Sequence, residues 1–244
     1  MSFEYRAASY DRLEWVNDKN FLKHIIKFIK PKQSDIILDV GCGTGVISSE
    51  LKKHSDIVIG TDISLQMLDF SKYKHGEVVY FQDDITHSKL LDNTFTIIVA
   101  RNVFHHIGDM NKALKECMRL LKPGGKMYII EGVPPMNEAE EFFTEVFKLK
   151  EPRNVLTFDS IELMLLRNGF RNVKFTGHII PENNILEWLQ NDGSLSEYII
   201  NEIHDMHLNM SDDLKKMYDS KIIDDICYCD FTNAIVMGVK ISDN

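Results

Sequence analysis

Positive charge is scarce in this chain: 28 Lys and Arg stand against 37 Asp and Glu, a formal net charge of −9 at pH 7. Phosphate backbones and anionic membrane surfaces are gripped by clustered cations. Nucleic acid and membranes are therefore not expected as partners. Cysteine is scarce too, with Cys42, Cys117, Cys227 and Cys229 the four in 244 residues. They are too few for a disulfide framework, and the C-x-C of Cys227 and Cys229 lacks the paired C-x-x-C halves of a zinc site; both read as reduced structural thiols. His204 and His207 share one helix face without a further ligand nearby, so no metal site is expected. Long apolar runs are absent: none approaches the roughly 18 residues of a membrane span. The N-terminal MSFEYRAASYDRLEW has no apolar stretch of the signal-peptide kind. The expectation is a soluble, cytoplasmic protein without internal repeats or low-complexity segments.

What the chain does have is apolar residues, 44% of the total, enough for a single α/β domain over residues 1–244. The runs IILDV (36–40), IVIGT (57–61), VVYF (78–81), FTIIVA (95–100) and MYII (127–130) are short and almost continuously apolar, as strands buried on both faces are. Helical spacing lies between them, clearest in Ala113, Leu114, Cys117, Leu120 and Leu121 ahead of the stop Lys122-Pro123-Gly124-Gly125. Alternation of this kind predicts a doubly wound, Rossmann-like, mostly parallel seven-stranded sheet with helices on both faces. An amphipathic helix over 17–30 falls in an N-terminal helical segment (1–34), ahead of a ligand-binding half (35–135). Further helices are expected at 137–150 and 159–168, with strands near 173–180 and 234–241. The intervening 182–230 reads as a helical cap over a site.

The sharpest motif is Leu38-Asp39-Val40-Gly41-Cys42-Gly43-Thr44-Gly45, where a strand must turn into a helix. Glycines there let backbone approach a ligand closely and take positive φ. A dinucleotide turn of the G-x-G-x-x-G kind would have glycine at 46, where Val46 stands. Asp39 would repel a pyrophosphate and attract a cationic amino-acid moiety. Asp62, after the second strand, is placed to accept hydrogen bonds from both hydroxyls of a ribose; a strand-end cap with Ser64 opening the next helix is the plain alternative. After the third strand, Asp84 is a candidate for an adenine amino group, beside apolar Ile63 and Ile85, and a surface-turn role is the alternative.

Five segments, LDVGCGTG (38–45), GTDIS (60–64), FQDDI (81–85), FTIIVARNVFHHI (95–107) and LKPGGKMYIIE (121–131), follow in order. With them the sequence resembles the class I S-adenosylmethionine-dependent methyltransferases, in the branch of the ubiquinone/menaquinone C-methyltransferases. The resemblance implies that S-adenosylmethionine is bound and S-adenosylhomocysteine released. Gly41, Gly43 and Gly45 would then cradle the methionine part, Asp39 would face its ammonium, Asp62 the ribose and Asp84 the adenine. Arg101 and Asn102 would line the sulfonium side, and Tyr10, in a Tyr-Asp start like the family's, would close over the cofactor or pack on the first helix. One departure is that the fourth strand opens Phe95-Thr96 where the family has Phe-Asp. That acid is mostly structural, and its absence is not expected to remove activity.

Methyl transfer needs mainly proximity and orientation, with a general base in some cases. His105 and His106 after the fourth strand, and Glu131 at the end of the fifth, are the candidates for that base. Packing and a strand-end cap are their plain alternatives. Phe142, Phe143, Phe147, Trp188, Tyr198 and Met206 suit a small, partly apolar acceptor, and Arg153 an acidic group on it. Three rival readings remain: methylation of RNA or protein, against which stand the acidic balance and the absence of an Asn-Pro-Pro-aromatic tetrapeptide after strand four; a non-catalytic sensor of S-adenosylmethionine; and a nicotinamide dehydrogenase, disfavoured by Asp39 and Val46. Monomer and homodimer are equally open.

Overall fold

A computed structural model describes residues 14–241; Tyr10 lies outside them. The chain opens with a helical turn, Glu14–Val16, and helix α1 (Lys19–Ile29), whose start is capped by Asp18 accepting from the Phe21 amide at 2.6 Å. Strands and helices then alternate: β1 (Ile36–Val40), α2 (Val46–Lys52), β2 (Ile57–Asp62), α3 (Leu65–Lys74), β3 (Val79–Gln82), β4 (Phe95–Arg101), α4 (Met110–Leu120) and β5 (Leu121–Gly132). Next come α5 (Glu140–Lys150), α6 (Phe158–Arg167), β6 (Arg171–Asn184), α7 (Ile185–Gln190), α8 (Glu197–Leu208), α9 (Asp212–Met217), β7 (Lys221–Ile223) and β8 (Ile226–Val239).

The sheet runs β3-β2-β1-β4-β5-β8-β6. β1 to β5 are mutually parallel, and β8 lies antiparallel to both β5 and β6. That path has the seven strands expected, and the three-residue β7 adds an eighth by pairing with the start of β8. Several expected strand ends move, and two of them bear on the 182–230 segment. β8 begins at Ile226, and β6 continues to Asn184. Both ends of the 182–230 segment are therefore strand, with Asn183 and Asn184 paired to Cys229 and Tyr228. In Cys227-Tyr228-Cys229 the burial alternates with the period of two of a strand, a pattern too short to stand out among helical residues.

Side-chain parity sorts the core into two layers. Ile37, Ile97, Val99, Tyr128, Ile130, Ile235 and Met237 meet Phe21, Ile25 and Ile29 of α1 and Ile47 and Leu51 of α2. Their sequence neighbours Leu38, Ile98, Ala100, Met127, Ile129, Ala234 and Val236 meet Ala113, Leu114, Cys117 and Leu120 of α4 and Ile161 and Leu165 of α6. A period of two on strands covered on both faces accounts for the unbroken apolar runs. A third cluster, with Val146, Phe147, Ile185, Leu189, Ile203, Met210 and Tyr218, joins α5 to α7, α8 and the start of β8.

Thr96 explains how the chain does without the acid at that position. Its hydroxyl donates to Asp35 Oδ1 at 2.8 Å and accepts from the Ile36 amide at 3.0 Å, so a neighbouring carboxylate on the β1 side completes the junction of β1 with β4. Among the described residues, no helix is long and apolar enough to cross a membrane.

Leu114→Ala, at a fully buried position against the sheet, should cost about 2–5 kcal/mol through lost burial and the cavity left behind. Urea unfolding is the check: the midpoint should fall while the slope stays unchanged.

Candidate functional site

All the parallel strands end on one edge, and the order reverses between β1 and β4, the crevice where open α/β sheets take their ligands. There Gly41 packs so closely on the turn after β4 that an added Cβ would lie 2.4 Å from Val103 Cγ2. A cavity of about 690 Å³ opens at this edge. It is lined at one end by Asp39, Gly41, Gly43, Asp62, Ile63, Asp84 and Ile85, and at the other by Phe142, Phe143, Phe147 and Trp188.

At the glycine end, Gly43 has positive φ (52°) and open space where a Cβ would stand. Its amide donates to Asp62 Oδ2 at 3.0 Å, and the Ser64 amide donates to Oδ1 at 2.8 Å. The carboxylate of β2 thus fixes the turn of β1, and burial raises its affinity for a proton. Asp39 is buried beneath, accepting from Ser48 Oγ at 2.5 Å. Burial first, then repulsion from Asp62, pushes it up to about 7 against the opposing pull of Ser48 and Arg101. Asp84 accepts from the Thr86 amide at 2.9 Å and its hydroxyl at 2.8 Å, bonds that hold its carboxyl below the usual range. Beside it, Asp83 presents a buried Oδ2 that no donor meets. Two of these features fit S-adenosylmethionine: a turn whose Cβ-free space would admit the amino-acid half, and an orphaned acceptor beside Ile85 that would suit an adenine amino group. Asp83 and Asp84 both line the cavity, and nothing local in the sequence separates two adjacent acids.

The comparisons with known proteins agree with this geometry. Residues 38–129 match the family model described as a methyltransferase domain. The chain is 29% identical over 157 residues to a ubiquinone/menaquinone biosynthesis C-methyltransferase from Bdellovibrio bacteriovorus, covering 59% of this chain and 67% of that one. It is 37% identical over 112 residues to a ubiquinone biosynthesis O-methyltransferase from Coxiella burnetii, covering 44% and 47%. The chain thus spans about half to two thirds of these relatives. In fold, the YcgJ protein of Bacillus subtilis superposes with a TM-score of 0.80 over 91% of this chain and 98% of that one, at 20% identity. Residues 38–129 thus carry a methyltransferase domain.

At this methyltransferase site two of the expected residues stand elsewhere. Gly45 is off the cavity wall; it takes positive φ (85°) as the cap of α2, and an added Cβ would lie 2.5 Å from Tyr80 Oη. That turn and that contact by themselves require a glycine here. Glu131 is fully buried and absent from the cavity wall. Its Oε1 accepts from the amides of Val103 (3.1 Å) and Phe104 (2.8 Å), and Oε2 from His105 Nδ1 at 2.5 Å. Burial alone would raise its affinity for a proton, but His105, Arg153 and the Phe104 amide outweigh it and keep the carboxyl below its ordinary value. Glu131 therefore stands behind the base candidate His105 and off the cavity wall.

Arg101 lines the cavity, but its guanidinium donates to the carbonyls of Val16 and Trp15, both at 3.0 Å, and lies 5.2 Å from the Phe21 ring centre. It fastens the segment before α1 across the site, which brings Trp15 and Val16 into the wall. No sequence motif marks those two residues. Asn102 lines the cavity with positive φ (55°).

His105 and His106 both face the cavity. Since His105 Nδ1 donates to Glu131, its Nε2 is an acceptor, met by His106 Nε2 at 3.0 Å and Arg153 Nη1 at 3.2 Å. Burial, then His105, pushes His106 down to about 4, so it is neutral near pH 7. Arg153 lies flat on Phe147, 3.4 Å from the ring centre, and Asn154 ties its segment to the β4 turn through the carbonyls of His105 and Ile107. Lys150 pairs with Asp192 in the wall, 5.0 Å from the Trp188 ring. Tyr198 is exposed and, like Met206, absent from the cavity wall, so neither joins this aromatic set.

Asp39 sets a pH dependence for the ligand-free protein. Its carboxyl ionises near 3.8 unfolded and near 7 folded, so between those values the folded state holds the extra proton and stability falls as pH rises. The loss should be on the order of 4 kcal/mol across that window. The stability of the protein relative to Asp39→Asn should therefore fall from pH 4.5 to 7.5, as read by urea unfolding of both; His106 and His207, each pushed down to about 4, act in the opposite sense below about 6.5 but equally in both proteins, and Glu131, with its lowered value, contributes only below about pH 4.5.

Proposed function

We propose that this domain methylates a small, partly apolar molecule bearing an acidic hydroxyl. The observation carrying this reading is the continuity of one cavity from the glycine turn to the aromatic wall of α5 and α7, with His105 between them. Neither a flat polyanion nor a protein surface is suggested by an acceptor end formed by Phe142, Phe143, Phe147 and Trp188. Residues 185–217, helical in three short pieces, act in this reading as the cap on that end.

When bound, S-adenosylmethionine supplies an electrophilic methyl group on a sulfonium. The chain's own part is to hold and orient. Asp62 accepts from ribose hydroxyls with the oxygen lone pairs left by Gly43 and Ser64. Asp83 and Asp84 would hold the adenine, and Asp39 with the Gly41-to-Gly43 turn would take the charged amino acid. On the acceptor side His105 Nε2 receives the hydroxyl proton, and Glu131 stabilises the imidazolium that results, as a buried carboxylate behind a histidine does. Aromatic walls exclude water from the reacting atoms.

Calorimetric titration with S-adenosylmethionine and S-adenosylhomocysteine should give one site per chain. Asp62→Ala should weaken that binding by about 1–3 kcal/mol, roughly 5- to 150-fold in Kd, because buried donors lose their partner. His105→Ala should leave the Kd unchanged and lower turnover by roughly 10²- to 10⁴-fold. Binding of both ligands without turnover of any hydroxylated acceptor would favour the sensor reading instead.

A further inference from the structure

Resting on that function, we infer that the acceptor carries a second, uncharged hydroxyl on the side it turns to the cap, and that His207 and Tyr218 hold it. Both residues line the cavity. Both are buried, with 4% and 6% of their surface exposed. Their rings pack on the same side chain, Phe142, with centroids 5.2 Å (His207) and 5.8 Å (Tyr218) from it. One aromatic residue thus draws the two polar groups to one corner of the acceptor end.

His207 is fixed there as a hydrogen-bond acceptor. It stands in the last turn of α8, where its Nδ1 meets the Ile203 carbonyl at 2.7 Å. A carbonyl only accepts, so Nδ1 carries the proton and Nε2 of the neutral ring carries a lone pair. Burial, against the opposing pull of the Ile203 carbonyl, pushes the imidazole down to about 4, so it is neutral near pH 7. Among the described residues nothing meets Nε2. His105 differs in this, since its Nε2 is met by both His106 and Arg153. The Cys227 thiol donates to the His207 carbonyl at 3.8 Å and the Cys227 amide to His204 Nε2 at 3.3 Å, contacts that pin this turn of α8 to β8 and hold the imidazole in place.

Tyr218, directly after α9, is the complementary group. No described residue meets its hydroxyl, and burial keeps the phenol protonated far above neutral pH, so it presents a donor. An acceptor and a donor left unmet in an apolar wall are costly unless a ligand supplies both partners. A carboxylate has no proton for His207, and an ammonium has no lone pair for Tyr218. A hydroxyl answers both with one oxygen. An imidazole as weakly basic as His207 takes the hydrogen bond and leaves the proton on the hydroxyl, so this corner orients the acceptor while proton removal stays with His105.

The test uses the full chain saturated with S-adenosylhomocysteine. It is titrated with para-substituted phenols bearing hydroxymethyl, hydroxyethyl and hydroxypropyl arms, a series that lengthens the reach of the second hydroxyl, each beside the methyl ether of that arm. At least one alcohol should bind about fivefold or more tightly than its ether, which has no proton for His207. His207→Leu should erase that preference, His207→Gln, whose amide oxygen accepts, should keep part of it, and Tyr218→Phe should reduce it, all with the Kd for S-adenosylhomocysteine unaltered. In turnover with S-adenosylmethionine, His207→Leu should raise KM for the preferred alcohol far more than it lowers kcat. Equal binding of every alcohol and its ether, no binding of any probe, tighter binding of the amine analogue of the preferred alcohol, or an undiminished preference in His207→Leu overturns the proposal. If S-adenosylhomocysteine binds while alcohols and ethers do not differ, this inference alone fails; if S-adenosylhomocysteine does not bind, the proposed function fails with it.

Discussion

The carboxylate of Glu131 is the constraint on which the chemical edge of this molecule depends. It lies at the end of β5 with no solvent contact, an expensive place for a charge unless donors surround it. Two backbone amides and one imidazole do so, all from the turn after β4. Those donors offset the desolvation cost, and the network performs three tasks together. It closes the gap between β4 and β5, fixes the tautomer of His105, and sets the position of Val103 against the Gly41 turn. Loss of that carboxylate would loosen the cofactor end and the acceptor end in the same step.

A second group of buried acids gathers at the carboxyl ends of β1 and β2. Burial raises the affinity of both Asp39 and Asp62 for a proton, Asp62 raises that of Asp39 further, and Arg101 is the nearby cation that opposes this for Asp39. A site built this way is under electrostatic tension that a bound ammonium would relieve. Arg101 also joins the segment around Trp15 to the strand edge, so the electrostatics of the glycine turn and the coverage of the cavity are coupled through one side chain.

The acceptor end is assembled differently. Three helical pieces after β6 and the extended start of β8 share a small core of their own with α5. The face of that core turned toward the sheet carries the aromatic rings and the Arg153 segment. Its charged groups arrive with partners, Lys150 with Asp192 and Arg153 with His105, so that charge is brought into an apolar wall only where a partner meets it.

How much of this was legible beforehand depended on the range of the interactions. Continuous apolar runs fix strands covered on both faces, and the glycine turn, Asp62 and Asp84 are local motifs whose chemistry follows from their place at strand ends. The mostly parallel sheet and the cofactor class are therefore legible in the sequence, whereas the order of its strands comes from the packed structure. Contacts spanning many residues were not. Glu131 meets His105 from 26 residues away and Arg153 meets it from 48, so the sequence named Glu131 and His105 without assigning their division of labour. Gly45 shares one motif with Gly41 and Gly43, but only the packed structure shows that it caps a helix against Tyr80 while the other two line the cavity. Tertiary structure alone decided which histidine nitrogen faces the cavity, which arginine stands beside it and where β8 begins, because each is settled by groups that only the packed sheet brings together.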